Sequence, residues 1–332
     1  MSRLELPLHI AGLGRYLPQR IVTNAELEAE CGLASGWIET RNGVKKRHWV
    51  FEESNAYMGA RAAEEALAQA NLKLADIDLI LNASGTNEVT IPDTSVYLQR
   101  ELGEAASSIA CWSLHATCLS FLVALDTAAS LLASGRYGCI LVVSAELGST
   151  SLNKEHPESY TLFGDGAAAA VVRRPTSGET GRLERAQFET YSEGADLTTV
   201  AGGGTRHHPN DPATRFSDNT FQMAGRQVLK LSRRRSGGFL ERLRTGLSSS
   251  LPDIDLVVPH QASLVGLRLL ESFGWPAEQI VKTLPDYGNC IAASLPLSLH
   301  EAVSLSRLRR GDTFLMVGTG AGLSLGGLVL RY

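Results

Sequence analysis

Apolar runs of strand length alternate with helix-length stretches from one end of the chain to the other, joined by short glycine-rich connections. That alternation predicts an α/β architecture with buried strands. Three of the apolar runs recur in a second copy. Asp76–Leu81 reads DIDLIL and Asp253–Val258 reads DIDLVV; Arg136–Glu146 reads RYGCILVVSAE and Arg310–Gly320 reads RGDTFLMVGTG; GDGAAAAVV from Gly164 is echoed by AGLSLGGLVL from Ala321. The first two pairs are separated by slightly more than half the chain and the third by less. The first half should therefore carry an extra loop, and Asn153–Tyr160 lies in the right place for it. Three pairs in one order predict a duplicated α/β unit, with halves 1–174 and 175–332 joining near Arg174–Gly181. No stretch of disordered composition separates them. Gly202–Asp218, rich in Gly, His, Pro and Asn, is expected to be a surface loop.

Composition narrows the function. The 332 residues are 44% hydrophobic and 20% charged, enough apolar material for a sizeable core and inside the globular range. A balance of 31 Lys+Arg against 35 Asp+Glu, net charge −4, lacks the basic footprint that nucleic acid requires. The 5 cysteines, an odd number without regular spacing, suit neither a disulfide framework nor a zinc set, so a reducing cytoplasm is the expected compartment. The amino-terminal MSRLELPLHIAGLG has neither a signal-peptide core nor a membrane-spanning run, and no membrane association is expected.

Cys118 opens CLSFLVALDTAASLLASG, which keeps an apolar face at helical spacing and ends at Gly135, a C-terminal cap. SSIACWSL before it reads as a buried strand. The cysteine is thus expected in a tight strand-to-helix turn, where the helix end and its free N–H groups would favour the thiolate, as a nucleophile requires. A small buried cysteine is the plainer alternative, and Cys31, Cys111 and Cys139 keep it. His260 in VVPHQAS and Asn289 in DYGNCIAAS belong to the second half, each beside an apolar element, where strand ends gather active-site groups.

Taken together, LHATCLSFLVAL, VVPHQAS and YGNCIAAS resemble the Cys, His and Asn motifs of the β-ketoacyl-ACP synthase III family of the thiolase superfamily. GRYLPQRIVTNAELE, WIETRNGVKKRH, LFGDGAAAAVV and GTGAGLSLGGLVLRY extend the resemblance over nearly the whole chain. It implies a thiolase-like fold of duplicated halves in α-β-α-β-α layers. It also implies a cytoplasmic homodimer in fatty acid biosynthesis that uses CoA thioesters as substrates, with no cofactor or metal. Cys118 would take an acyl group from acyl-CoA, while His260 and Asn289 would stabilise the enolate formed as a malonyl thioester, on ACP or CoA, loses CO₂. Backbone N–H groups of Cys118 and Ala321 would form the oxyanion hole, although the family usually has glycine at the latter position.

The same resemblance assigns Trp37 and Arg41 to the CoA adenine and phosphate, and Lys230 to the tunnel mouth. Arg233, Arg234 and Arg235 would extend a basic patch for acyl carrier protein, and Ile91 would enter the neighbouring subunit's primer pocket. Relatives that join two long chains head to head carry glutamate there, so Ile91 speaks against that branch. Two departures weaken the carrier assignment: Val265 replaces an arginine, with Arg268 near it, and HPESYTLFGDG lacks a second arginine. Cys290 replaces a small hydroxyl residue and has no assigned role. The competing functions are acyl transfer from Cys118 to an O, N or S nucleophile of a small metabolite, and a silent scaffold. Paired His260 and Asn289 argue against the first, because simple transfer needs only a base, and Cys118 argues against the second.

Overall fold

A computed structural model describes residues 5–249 and 253–332. In chain order the strands are β1 (Leu6–Pro7), β2 (His9–Tyr16), β3 (Ile21–Thr23), β4 (Lys46–His48), β5 (Leu79–Asn82), β6 (Ala110–Ser113), β7 (Cys139–Glu146), β8 (Gly166–Arg173), β9 (Arg182–Gly194), β10 (Thr198–Thr199), β11 (Gln222–Met223), β12 (Leu256–Pro259), β13 (Thr313–Gly320) and β14 (Gly322–Arg331). The α-helices are α1 (Asn24–Glu30), α2 (Trp37–Asn42), α3 (Asn55–Ala70), α4 (Thr94–Glu101), α5 (Ser120–Ser134), α6 (Pro157–Tyr160), α7 (Gly225–Leu243), α8 (Leu264–Glu271), α9 (Leu284–Tyr287) and α10 (Ser294–Ser304).

The echoed sequences become equivalent strands. One sheet has the order β2-β8-β7-β5-β6 and the other β1-β9-β14-β13-β12. In the first, β5 runs parallel to β7, and β8 is antiparallel to both β7 and β2. In the second, β12 runs parallel to β13, and β14 is antiparallel to both β13 and β9. The three recurring runs are therefore β5/β12, β7/β13 and β8/β14. The short β1 crosses over to pair with β9, so the second sheet takes its edge from the chain's beginning.

Alternation along the strands builds five layers. Leu79 and Leu81 of β5, with Phe314 and Met316 of β13, pack on α5 and α10 in a middle layer between the sheets. Their neighbours face outward, Ile80 onto α3 and Leu315 onto α7. Helix α5 is apolar nearly all round because it is covered on both sides; Phe121, Leu122, Leu125 and Leu132 are fully buried. Among the described residues it lies in the one helical stretch, Thr117–Ser134, long and apolar enough to cross a membrane, and the fold uses it as core. It ends at Gly135, whose φ of 75° makes the expected left-handed cap.

Two local expectations need correction. SSIACWSL yields the edge strand β6, half-exposed rather than buried, because β5 covers one side and no strand among the described residues covers the other. The second half of Asn153–Tyr160 is helical, as α6. Gly202–Asp218 is a largely exposed loop.

Candidate active site

The turn carrying Cys118 is held from below. Ser120, at the start of α5, donates its hydroxyl to the Thr117 carbonyl at 2.7 Å and accepts the Ala116 N–H at 2.9 Å. Thr117 takes a left-handed φ of 51°, which turns the chain sharply at Cys118. The backbone N–H groups of Cys118 itself and of Ala321 lie beside the Cys118 sulfur and favour its ionised form.

The thiol, however, is not activated at rest. Those donors act in the expected direction, but burial outweighs them and the Glu146 carboxylate adds to the rise, pushing Cys118 up to about 12. A depressed thiol, expected from its place before a helix, is thus overturned by desolvation. Alkylation of Cys118 by iodoacetamide should consequently keep accelerating between about pH 7 and pH 10, because thiolate alone reacts. A plateau near pH 8 in a rate series read by intact mass would contradict the assignment.

His260 follows β12, and its N–H donates to the Val317 carbonyl at 2.8 Å, so two parallel strands fix its position. Gln261 locks the loop. Its amide nitrogen donates to the carbonyls of Pro259 and Val281, and its oxygen accepts the N–H groups of Thr283 and Leu284, both at 3.0 Å. The buried His260 ring is lowered to about 4 by desolvation and is neutral at physiological pH. Its Nδ1 has no hydrogen-bond partner among the described residues.

Asn289 is oriented by its surroundings. The side-chain oxygen accepts the Ile291 N–H at 2.9 Å, and the amide nitrogen donates to Ala262 O at 3.3 Å, on the loop carrying His260. The LFGDG segment clamps the same turn: Asn289 N–H donates to Leu162 O at 2.9 Å and Gly164 N–H to Asn289 O at 3.2 Å. Only glycine fits at 164, because a Cβ there would stand 2.0 Å from the Tyr287 carbonyl oxygen. Gly318 serves a similar close approach; a Cβ would stand 2.8 Å from the His260 Cβ and 3.2 Å from Leu119.

Glu146 was not picked out from the sequence. It ends the fully buried β7, accepts the N–H and hydroxyl of Thr86 at 2.9 and 2.7 Å, and also accepts the N–H groups of Gly85 and Ala292. Burial pushes its carboxyl up to about 8. It ties the loop after β5 to the asparagine turn. A Cβ at Gly85 would meet Ile291, Glu146 and Thr117 O within 3.4 Å, which places the cysteine turn at the same junction. The signal was a charged residue closing an otherwise apolar run. Cys290 is buried with its thiol on Tyr287 O at 3.4 Å and pushed well up by burial, so it is part of the packing.

A cavity of about 440 Å³ opens beside His260 and Gly318. Arg41 and Arg226 line it, and Arg41 is paired with Glu158 at 2.5 Å. Trp37, half-buried, packs partly on the core and is not part of the lining. Val265 lines it, whereas Lys230 and Arg268 are exposed and do not. Arg226 lies one helical turn before Lys230 and was missed because sequence alone did not settle which face of α7 meets the cavity. Of the run after Lys230, Arg234 and Arg235 are both paired with Glu193 at 2.7 Å, which spends much of the supposed basic patch. Ile91 is 86% exposed in the single chain, outside the cavity.

Two similar halves in five layers, with a cysteine on one and a histidine and asparagine on the other, define a thiolase-like condensing enzyme. The family model for the C-terminal part of 3-oxoacyl-[acyl-carrier-protein] synthase III matches residues 245–332, and that for 3-oxoacyl-[acyl-carrier-protein] synthase III matches 113–194. The β-ketoacyl-[acyl-carrier-protein] synthase III of Aquifex aeolicus is 34% identical over 97% of this chain and 99% of its own length. Synthase III 3 of Streptomyces coelicolor is 35% identical over 97% and 96%. The crystal structure of the Aquifex enzyme superposes with a TM-score of 0.86 at 33% identity, covering 98% of this chain and 100% of that one. The priming β-ketosynthase of the R1128 polyketide pathway gives 0.87 at 28%, covering 100% and 98%. The chain belongs to the β-ketoacyl-[acyl-carrier-protein] synthase III family, and it is an enzyme of the acyltransferase class.

Proposed function

We propose that the protein joins an acyl-CoA primer to a malonyl thioester, with malonyl-ACP as donor, by decarboxylative Claisen condensation. Cys118 attacks the primer carbonyl; the carbon–sulfur bond to CoA breaks, CoA leaves as the thiol, and a thioester forms on Cys118. The proton that the Cys118 sulfur gives up leaves on the CoA thiol. Charge developing on the primer carbonyl is met by the N–H groups of Cys118 and Ala321. His260 and Asn289 then hydrogen-bond the donor's thioester carbonyl. The carbon–carbon bond to the carboxylate breaks, CO₂ leaves, and its electron pair forms the enolate. That carbon attacks the acyl-cysteine, the carbon–sulfur bond to Cys118 breaks, and the 3-oxoacyl thioester forms while a proton from solvent restores the thiol.

The observation carrying this reading is that the turns of Cys118, His260 and Asn289 meet: Asn289 bonds the His260 loop, Gly318 lies between His260 and Leu119, and Gly85 lies between Ile291 and Thr117. Acyl transfer to a metabolite gains no support, since Asn289 is held as a donor that simple transfer does not use. Arg41 and Arg226 are the cations offered to the thioester's phosphates, Trp37 is within one turn of Arg41 for the adenine, and Lys230 and Arg268 lie outside for weaker, salt-screened contact with a carrier. Incubation with acetyl-CoA and malonyl-ACP should release CO₂ and 3-oxobutanoyl-ACP in equal amounts; CO₂ without condensed product would refute the coupling.

The working form is proposed to be a cytoplasmic homodimer in which each subunit lends Ile91 to its partner's primer pocket. The exposed Ile91, with Val89 and Val96 also exposed nearby, supports this. Ile91→Phe should then shorten the longest primer accepted. A fully active monomer by light scattering, or an unchanged chain-length profile, would contradict it.

A further inference from the structure

The cavity beside His260 extends well past the cations that a CoA or carrier phosphate needs. Along α7 its lining runs from Arg226 in the first turn to Leu240 in the last, about 20 Å at 1.5 Å per residue. Beyond Arg226 no charged side chain of α7 or α8 lines it. The far part lies between α7 and α8 and is lined by Phe239, Leu240, Leu270 and Phe273. Small residues keep it open. Ser232 and Ser236 leave room on α7, and a Cβ at Gly266 on α8 would meet nothing closer than 3.5 Å. Ser236 donates its hydroxyl to the Ser232 carbonyl at 2.7 Å, so it presents no free donor to a ligand.

One end of this space holds Arg226 and the Arg41–Glu158 pair, the other is apolar, and His260 also lines it. We propose that the limb between α7 and α8 is a second acyl-binding site, which takes the alkyl chain of an acyl thioester whose head lies at His260. The phosphates stay at Arg41 and Arg226 and the chain is removed from water against the two phenylalanines. This site is separate from the primer pocket completed by Ile91. The inference rests on His260 receiving the donor thioester, and it extends the donors accepted from malonyl to thioesters that carry an alkyl chain.

Calorimetric titration with unreactive S-alkyl-CoA thioethers tests it, because binding requires no acyl transfer and remains readable if the proposed condensation fails. Cys118 is first carbamidomethylated to obstruct the way to the primer pocket. Affinity should rise from S-ethyl- to S-octyl-CoA by a factor of about two to four for each methylene buried. In Ser236→Phe, and in Gly266→Leu from the opposite wall, S-octyl-CoA should bind no more tightly than S-ethyl-CoA, whereas Ser236→Ala should keep the gain. Thermal unfolding midpoints identify folded variants. No dependence on chain length in the unsubstituted protein, or the same dependence in folded Ser236→Phe and Gly266→Leu, would overturn the proposal.

Discussion

Replacing Cys118 by alanine is expected to abolish acyl-enzyme formation and to lower condensation by more than about 10⁴-fold, while slow decarboxylation of the malonyl donor persists. The two half-reactions use different groups. Acyl transfer needs the sulfur and the N–H groups of Cys118 and Ala321 beside it. Enolate formation needs only His260 and Asn289, whose positions are fixed by Val317, Ala262, Ile291 and the LFGDG segment. The substitution removes a sulfur from a turn pinned independently by Ser120, so the fold should survive. Intact mass with acyl-CoA and separate measurement of CO₂ release distinguish the steps. An adduct that persists in Cys118→Ala would mean that another thiol is the nucleophile.

The converse pattern is expected when the donor side is altered. His260→Ala and Asn289→Ala should each lower decarboxylation by about 10²–10³-fold, the usual cost of losing one preorganised donor to a developing oxyanion. Asn289→Ala should still acquire the acyl group on Cys118 at close to the original rate. His260→Ala should likewise still acquire it, because the imidazole serves the donor side. The pH dependence has a definite sign. Burial lowers His260 to about 4, so decarboxylation should stay level from about pH 8 to pH 6 and decline only as the ring charges on approach to pH 4. The same linkage costs stability as pH falls from about 6.5 towards 4, because the unfolded chain binds a proton that the folded one excludes. A decarboxylation profile that halves near pH 6.5 would show a solvated, ordinary histidine.

Much of this organisation was legible in the sequence because it is written in local pattern. DIDLIL and DIDLVV mark β5 and β12, since a buried parallel strand needs a continuous apolar run, and the repeated order of three such runs carries the duplication. The cysteine, histidine and asparagine stand in motifs specific enough to name a family. What escaped depends on three-dimensional neighbours. Glu146 becomes part of the site only when Gly85, Thr86 and Ala292 surround it, segments remote along the chain. The helix end before α5 suggested a lowered thiol, but desolvation of the sulfur and the Glu146 carboxylate, remote along the chain, reverse the shift. Lys230 and Arg226 share a helix, and the packing of α7 decides which of them meets the cavity.

The central claim is that one sulfur accepts the primer and the histidine–asparagine pair beside it delivers the carbanion. It is tested most directly by acylating the protein with a stoichiometric amount of acetyl-CoA, removing free CoA, and chasing with malonyl-ACP while peptide-resolved mass is followed. The account predicts an acetyl adduct on the peptide containing Cys118, lost at the rate and in the amount that 3-oxobutanoyl-ACP appears. An adduct on Cys111 or Cys290, or one on Cys118 that outlasts product formation, would contradict it.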